Sequence, residues 1–143
     1  MSISDERLLH SIGVARKMKE IALSNPRKYD ATPDEAFFLG FIHDIGYEFT
    51  DDQTEHSRKG GELLRTQNYK FWKEVYYHGI PQTDYDSPML RLLNYSDMII
   101  DNAGKQVTVE ERLAGIVERY GKGSSQELDA IELIKIFNML QYI

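Results

Sequence analysis

Phe41-Ile42-His43-Asp44-Ile45-Gly46 is the stretch that decides the fold of this chain. An adjacent His-Asp pair offers one imidazole nitrogen and one carboxylate, and the two oxygens of a carboxylate can each bind a separate metal ion. Apolar residues flank the pair on both sides, which predicts that it lies at the buried end of a helix. A buried aspartate is unfavourable unless it is paired or binds a cation. The stretch therefore predicts a metal site between packed helices.

Three more histidines and one aspartate lie at positions that suit the same site. One histidine lies at the margin of an N-terminal apolar stripe, one begins a short helix and one ends an aromatic helix, while the aspartate lies on the polar side of an apolar helix. Each position alone also has an ordinary explanation, such as a histidine bonded to backbone or a solvated helix face. A shared role is the more economical interpretation. The predicted metal ligands are His10, His43, Asp44, His56, His78 and Asp97.

Helix start and stop signals predict an all-α fold of about six or seven helices. Thr32-Pro33-Asp34-Glu35 combines an N-cap, a proline at the first helical position and a capping-box glutamate. Similar signals begin helices near residues 88, 109 and 125, and no alternating strand pattern is present. The predicted helices cover roughly residues 4–24, 33–46, 55–66, 69–77, 88–103, 109–121 and 125–140. The second of these is apolar on all sides, which predicts a buried central helix.

Length and composition are those of one globular domain spanning residues 1–143, with 41% apolar and 28% charged residues. No segment approaches the about 18 apolar residues that span a bilayer, and the N-terminus lacks a secretory signal, so we expect a cytoplasmic protein without a membrane partner. The absence of cysteine excludes disulfides and thiolate ligands. A formal charge of −6 argues against a nucleic-acid polymer as partner. Small anions stay open, because a bound cation reverses the local field.

The order His10, His43-Asp44, Asp97 resembles the HD-domain superfamily of metal-dependent phosphohydrolases, and His43-Asp44-Ile45-Gly46 looks like its HDIG subgroup. The stretch from Glu55 to Leu64 is similar to the segment that follows this motif in many small members. The resemblance covers roughly residues 5 to 105. It implies an HD-domain or phosphodiesterase-like helical bundle, which residues 108–143 complete unless they form a dimer surface.

The resemblance also implies how the ligands are shared. His10, His43, Asp44 and Asp97 would bind one divalent ion; in members with two extra histidines, matching His56 and His78, a second ion is bridged by the equivalent of Asp44. One such group hydrolyses diadenosine tetraphosphate. The nitrogen and oxygen ligands suit one or two ions of Fe, Mn, Co, Ni, Mg or Zn. Tyr47 stands where cyclic-dinucleotide phosphodiesterases have lysine, and no GYP element is present, which argues against that activity.

We expect a hydrolase of phosphate esters or anhydrides whose partner is a small phosphorylated molecule, above all a nucleotide. Asp44 and Lys59 are the catalytic candidates, with Lys59 and Lys17 as phosphate contacts and Asp101 as a group that orients water or a ligand. A di-iron oxygenase and a non-catalytic metal- or nucleotide-binding regulatory module remain as alternatives. The last helix belongs either to the core or to a homodimer surface; its apolar residues include Ile131, Leu133, Ile134, Ile136, Phe137 and Leu140.

Overall fold

A computed structural model describes residues 3–52 and 54–136, and the regular elements within those ranges are all helical. In chain order they are α1 (Asp5–Ser24), α2 (Pro33–Ile42), a 3₁₀ turn (Ile45–Glu48), α3 (His56–Thr66), α4 (Trp72–Tyr77), α5 (Pro88–Met98), α6 (Val109–Tyr120) and α7 (Ser125–Ile136). The predicted all-α bundle is confirmed. Phe137 and Leu140, which the sequence assigns to the last helix, lie outside the described residues. No described helix is both long and apolar enough to cross a bilayer.

The predicted capping residues begin their helices. Thr32 Oγ1 accepts a hydrogen bond from the Glu35 backbone N–H at 3.1 Å, and the Glu35 carboxylate accepts one from the Thr32 N–H at 2.8 Å. Thr108 and Glu111 make the same capping box before α6, and Ser87 caps α5 through its hydroxyl oxygen. These bonds satisfy N–H groups that have no partner inside the helix. Local sequence therefore determines where these helices begin.

The His-Asp pair follows α2 directly, because α2 ends at Ile42 rather than near Gly46 as the sequence predicts. The His43 ring hydrogen-bonds back to the Gly40 carbonyl at 2.6 Å and so competes for an acceptor that would continue the helix. The chain then continues as the 3₁₀ turn Ile45–Glu48. This change of direction turns His43 and Asp44 toward the interior of the bundle, where both are buried.

The prediction that α2 is buried on all sides is wrong, since Phe38 and Phe41 are 50% and 41% exposed. α2 packs on α1 through one face only. At that contact Gly40 lies so close to Ala15 that a Cβ atom would overlap the Ala15 backbone. The close approach buries Leu39 completely and leaves the phenylalanine face of α2 directed to solvent.

The hydrophobic core lies between α1, α2 and α5, with a contribution from α4. Its fully buried apolar side chains include Val14, Met18, Leu39, Val75, Leu90, Leu92 and Leu93. Helices α6 and α7 pack against each other and add Val109, Ala130 and Leu133 to the core cluster. The first five helices thus form the centre of the bundle, and α6 and α7 cover one side of it.

Gly46 is required by packing around the His-Asp turn. A Cβ atom at this position would overlap the backbone carbonyl oxygen of His56, at the first residue of α3. We predict that Gly46→Ala lowers the free energy of unfolding by about 3 kcal/mol, the upper range for overpacking, because backbone rather than a side chain must move. Chemical denaturation of the purified variant measures this change.

Gly115→Ala is the matched control for that substitution. Gly115 lies in the middle of α6, where a Cβ atom would meet nothing within 4 Å. Alanine there should raise stability by about 1 kcal/mol through helix propensity alone. Equal effects of the two substitutions would contradict the close contact between the 3₁₀ turn and α3.

Candidate metal centre

Five helices bring the six predicted ligands to one place. His10 comes from α1, His43 and Asp44 follow α2, and His56 is the first residue of α3. The other two are His78, which follows α4, and Asp97, in the last turn of α5. Three overlapping groups of these side chains have ligand atoms within 4.8 Å of one another, a spacing that suits a shared ion.

One half of the centre is formed by two histidines and both aspartates. His10 Nε2 lies 2.6 Å from Asp97 Oδ1. His43 Nε2 lies 3.6 Å from the same oxygen and 3.3 Å from Asp44 Oδ2. Two imidazole nitrogens and two carboxylate oxygens thus converge, which is the donor set of a divalent metal site.

The other half is formed around the second oxygen of Asp44. His56 Nε2 and His78 Nε2 lie 3.2 Å and 3.3 Å from Asp44 Oδ1. The two nitrogens are 3.2 Å from each other. Asp44 therefore presents Oδ2 to His43 and Oδ1 to His56 and His78, as a bridging carboxylate would.

The backbone orients three of the four imidazole rings. His43 Nδ1 donates to the Gly40 carbonyl and His78 Nδ1 donates to the Val75 carbonyl, each at 2.6 Å. His10 Nδ1 donates to the Asp101 carbonyl at 3.2 Å. A proton held on Nδ1 leaves the lone pair of Nε2 free for a metal, the usual arrangement for a ligating histidine.

A buried nitrogen without a hydrogen bond supports the fit to a metal. His43 is fully buried, and its Nε2 atom makes no hydrogen bond within the described residues. A buried polar atom without a partner is costly in a folded protein. A cation bound between His43 and the carboxylates would satisfy it, so the donor set and its surroundings fit a divalent ion.

In the metal-free protein, the histidines and aspartates of the centre shift one another's pKa. Burial alone lowers the pKa of His43, but the carboxylates of Asp44 and Asp97 outweigh burial and raise that pKa from 6.5 to about 9. Burial raises the pKa of both aspartates, yet the neighbouring histidines hold each pKa well below its usual value. Burial lowers the pKa of His78. Without a metal, the two carboxylates therefore favour the protonated form of the His43 ring.

This charge pattern predicts an unusual dependence of stability on pH. The raised pKa of His43 stabilises the metal-free fold fully below pH 6.5, and that contribution is lost as pH rises toward 9. The melting temperature of chelator-treated protein should therefore fall between pH 6.5 and 9. Metal-loaded protein should not lose this contribution, because the ion replaces the proton. Thermal unfolding of both forms across this range measures the difference, and parallel curves would contradict it.

The structure does not bring the two predicted lysines to the centre. Lys59 is exposed on the outer side of α3, whose buried face carries Ser57 and Gly60. Lys17 pairs with Glu20 at 3.2 Å. Neither lysine lines the cavity beside the metal centre. Helical spacing related Lys59 to His56, but His56 is the first residue of α3 and turns inward while Lys59 remains outside.

Asp101 lies at the edge of the centre and has structural partners. Its Oδ1 atom accepts hydrogen bonds from the backbone N–H groups of Ala103 and Lys105, both at 2.9 Å. Its backbone carbonyl is the acceptor for His10. Asp101 therefore holds the loop after α5 and orients one predicted ligand, while it also lines the cavity.

A cavity of about 1230 Å³ opens between the metal centre and the pair α6 and α7. Its wall includes residues that the sequence analysis overlooked, namely Arg7, Tyr47, Arg112, Arg119 and Tyr120. Most are distant from the metal motifs in sequence, so only the packing of α6 over the bundle places them there. Arg7 had a local signal, because it lies three residues before His10 and so shares its helical face.

Comparison with known proteins gives one family. Searches of curated proteins and of solved structures found no significant match. The family model of the HD domain matches residues 7–120, which is most of the chain and includes all six predicted ligands. HD domains bind divalent metals, and the family consists generally of hydrolases. The match does not separate subgroups, so the HDIG assignment stays a prediction. The chain belongs to the HD-domain family.

Proposed function

We propose that this protein is a metal-dependent phosphohydrolase that acts on a nucleotide or another small phosphate ester or anhydride. The observation that carries the proposal is that the two carboxylate oxygens of Asp44 face different histidines. Oδ2 faces His43, and Oδ1 faces His56 and His78. A carboxylate with one oxygen toward each cluster of histidines is the arrangement expected for two adjacent ions that act on one phosphoryl group.

The residues divide between two ions in this proposal. His10, His43 and Asp97 would hold the first, His56 and His78 would hold the second, and Asp44 would contribute one oxygen to each. Their nitrogen and oxygen atoms suit Mn, Fe, Co, Ni, Mg or Zn. When bound, such ions lower the pKa of water and polarise phosphoryl oxygens. The protein fixes the ligands through the backbone carbonyls of Gly40, Val75 and Asp101.

The cavity favours a small substrate. Its volume of about 1230 Å³ exceeds what a phosphate needs and accommodates a molecule of nucleotide size. Its wall combines three arginines with the carboxylates of Glu6, Glu111, Glu118 and Asp129. A wall of mixed charge does not favour a long polyanion, because nucleic-acid binding requires a continuous basic surface. Tyr120, which is partly exposed, offers aromatic surface for a base or another flat group.

The test is hydrolysis by protein reconstituted separately with Mn, Fe, Co, Ni, Mg and Zn, in the absence of oxygen. The substrates are p-nitrophenyl phosphate, bis-p-nitrophenyl phosphate, nucleoside triphosphates and diadenosine tetraphosphate. The proposal expects release of p-nitrophenol, phosphate or nucleotide, according to the substrate, that stops when the metal is chelated.

Other results would identify the alternatives. Oxygen uptake that strictly requires iron in a parallel aerobic assay, without hydrolysis in the anaerobic one, would indicate the di-iron oxygenase. Tight nucleotide binding without turnover on any metal would indicate a regulatory module. Either result would contradict the hydrolase proposal. The cytoplasmic location and the homodimer stay predictions, which cell fractionation and sedimentation analysis address.

A further inference from the structure

Arg7 places a cation in the wall of the cavity beside the metal centre. It lies in the first turn of α1, is partly buried and lines the cavity. The guanidinium carbon of Arg7 lies over the aromatic ring of Tyr47, 3.4 Å from the ring centroid. A guanidinium held over an aromatic ring gains cation–π stabilisation and a fixed plane.

Tyr47 is itself held against a predicted metal ligand. Its ring stacks on the His56 ring with centroids 4.2 Å apart and an angle of 9° between the planes. Tyr47 is only 5% exposed, so its ring has little freedom to move. Arg7, Tyr47 and His56 therefore form a three-layer stack. The stack fixes the position of the arginine relative to the half of the centre that contains His56.

The donors of Arg7 have no protein acceptor in the described residues. No carboxylate there forms a salt bridge with its guanidinium, and none of the described side-chain hydrogen bonds involves it. By contrast, Arg119 in the same wall lies 3.8 Å from Glu6. A guanidinium carries five N–H donors in its own plane, and these cannot point at the ring beneath it. With no acceptor among residues 3–52 and 54–136, these donors are available to water or to a molecule in the cavity.

We propose that Arg7 binds non-bridging oxygens of the phosphoryl group of the substrate, and that Tyr47 is the positioning residue that holds Arg7 in place. A planar guanidinium matches two oxygens of a phosphoryl group through parallel hydrogen bonds. The stack supplies this group already oriented, which reduces the entropy lost on binding. The inference rests on the proposed function, which identifies the ligand as a phosphorylated substrate. It adds Arg7 as the residue that recognises the phosphoryl group.

A purely structural role for Arg7 makes a different prediction. If the guanidinium only covered the Tyr47 ring, Arg7→Gln would lower thermal stability and would leave anion affinity unchanged. The Arg7→Lys variant sharpens this distinction, since lysine keeps the positive charge but loses the planar pair of donors. Partial rescue of anion affinity by lysine is therefore expected only if Arg7 contacts the anion.

The experiment is calorimetric titration of Mn²⁺-loaded protein with inorganic phosphate and with pyrophosphate. Arg7→Gln should weaken affinity roughly 10- to 100-fold, the loss expected for a charge-assisted pair of hydrogen bonds. Arg7→Lys should lie between Arg7→Gln and the wild type, and metals per chain should be unchanged in both variants. Arg16→Gln is the matched control, because Arg16 is exposed on the same helix and does not line the cavity. Tyr47→Leu should weaken phosphate affinity in the same direction as Arg7→Gln.

Affinity of Arg7→Gln within twofold of the wild type, or loss of bound metal in that variant, would overturn the inference. The same holds if metal-loaded wild type binds neither anion. Turnover by the wild type distinguishes this failure from failure of the proposed function. Hydrolysis with an unchanged KM in Arg7→Gln would overturn the inference alone. Phosphate binding through Arg7 without hydrolysis of any substrate would overturn the proposed function alone.

Discussion

Asp44→Asn will reduce turnover at least about 1000-fold, well beyond the 10- to 100-fold loss typical of residues that only orient a ligand. Asparagine keeps the shape of the side chain but replaces one oxygen by an NH₂ group and removes the negative charge. One of the two faces of residue 44 then presents a donor to histidine nitrogens that lie 3.2 Å to 3.3 Å away. A donor cannot bind a metal, and the remaining neutral oxygen is a weaker ligand.

The measurement for Asp44→Asn is steady-state phosphate release together with metal content. Asp34→Asn is the matched control, because Asp34 lies in the first turn of α2, the helix that Asp44 follows, is highly exposed and pairs only with Lys19 in the described ion pairs. The circular dichroism of both variants should match the wild type, since α2 keeps its capping box. Turnover by Asp44→Asn within tenfold of the wild type would contradict the role of Asp44.

His56→Ala is the second substitution with a large expected effect, and it acts on one half of the centre. His56 contributes only to the cluster around Asp44 Oδ1, whereas His10, His43 and Asp97 remain in place. We expect loss of one ion and a fall in turnover of roughly 100- to 1000-fold, comparable to removing one group that stabilises charge in a transition state. The first ion should stay bound, because four of its side chains are untouched.

The local parts of the fold could be predicted from the sequence. Thr32, Thr108 and Ser87 begin helices where their short side chains cap the first turn, and this effect depends on only four neighbouring residues. The family could be predicted from His43-Asp44 and the order of the remaining ligands, because the spacing of metal ligands constrains a chain more than composition does.

The features that the sequence did not predict depend on contacts between distant segments. The exposure of Phe38 and Phe41 follows from packing α2 on α1 through the Gly40 face, and periodicity alone does not identify which apolar face is covered. Lys59 has the right spacing from His56 yet is exposed, because α3 packs through the face that carries Ser57 and Gly60. Sequence spacing therefore identified the side chains that converge at the candidate metal centre better than the groups that surround them.

The substrate side of the site was the least predictable. Arg7 reaches the cavity because α1 passes over the turn that contains Tyr47, and Arg112 and Arg119 reach it because α6 covers the bundle. No local motif encodes the positions of Arg112 and Arg119, and Arg7 had only its helical spacing from His10 as a signal. Ala130 and Leu133 of α7 join the core while Leu128 and Ile136 are more than half exposed. Within the described residues, α7 therefore contributes to the core on one side and leaves apolar side chains exposed on the other.

Metal content per chain tests the proposed dinuclear centre most directly. Elemental analysis of untagged protein reconstituted with Mn²⁺ should give about two ions for the wild type and about one for His56→Ala. Arg58→Ala, an exposed position on the same helix, is the control and should keep the wild-type content. One ion in both the wild type and His56→Ala would contradict the bridging role of Asp44. No bound ion in the wild type, on Mn, Fe, Co, Ni, Mg or Zn, would contradict the metal centre itself.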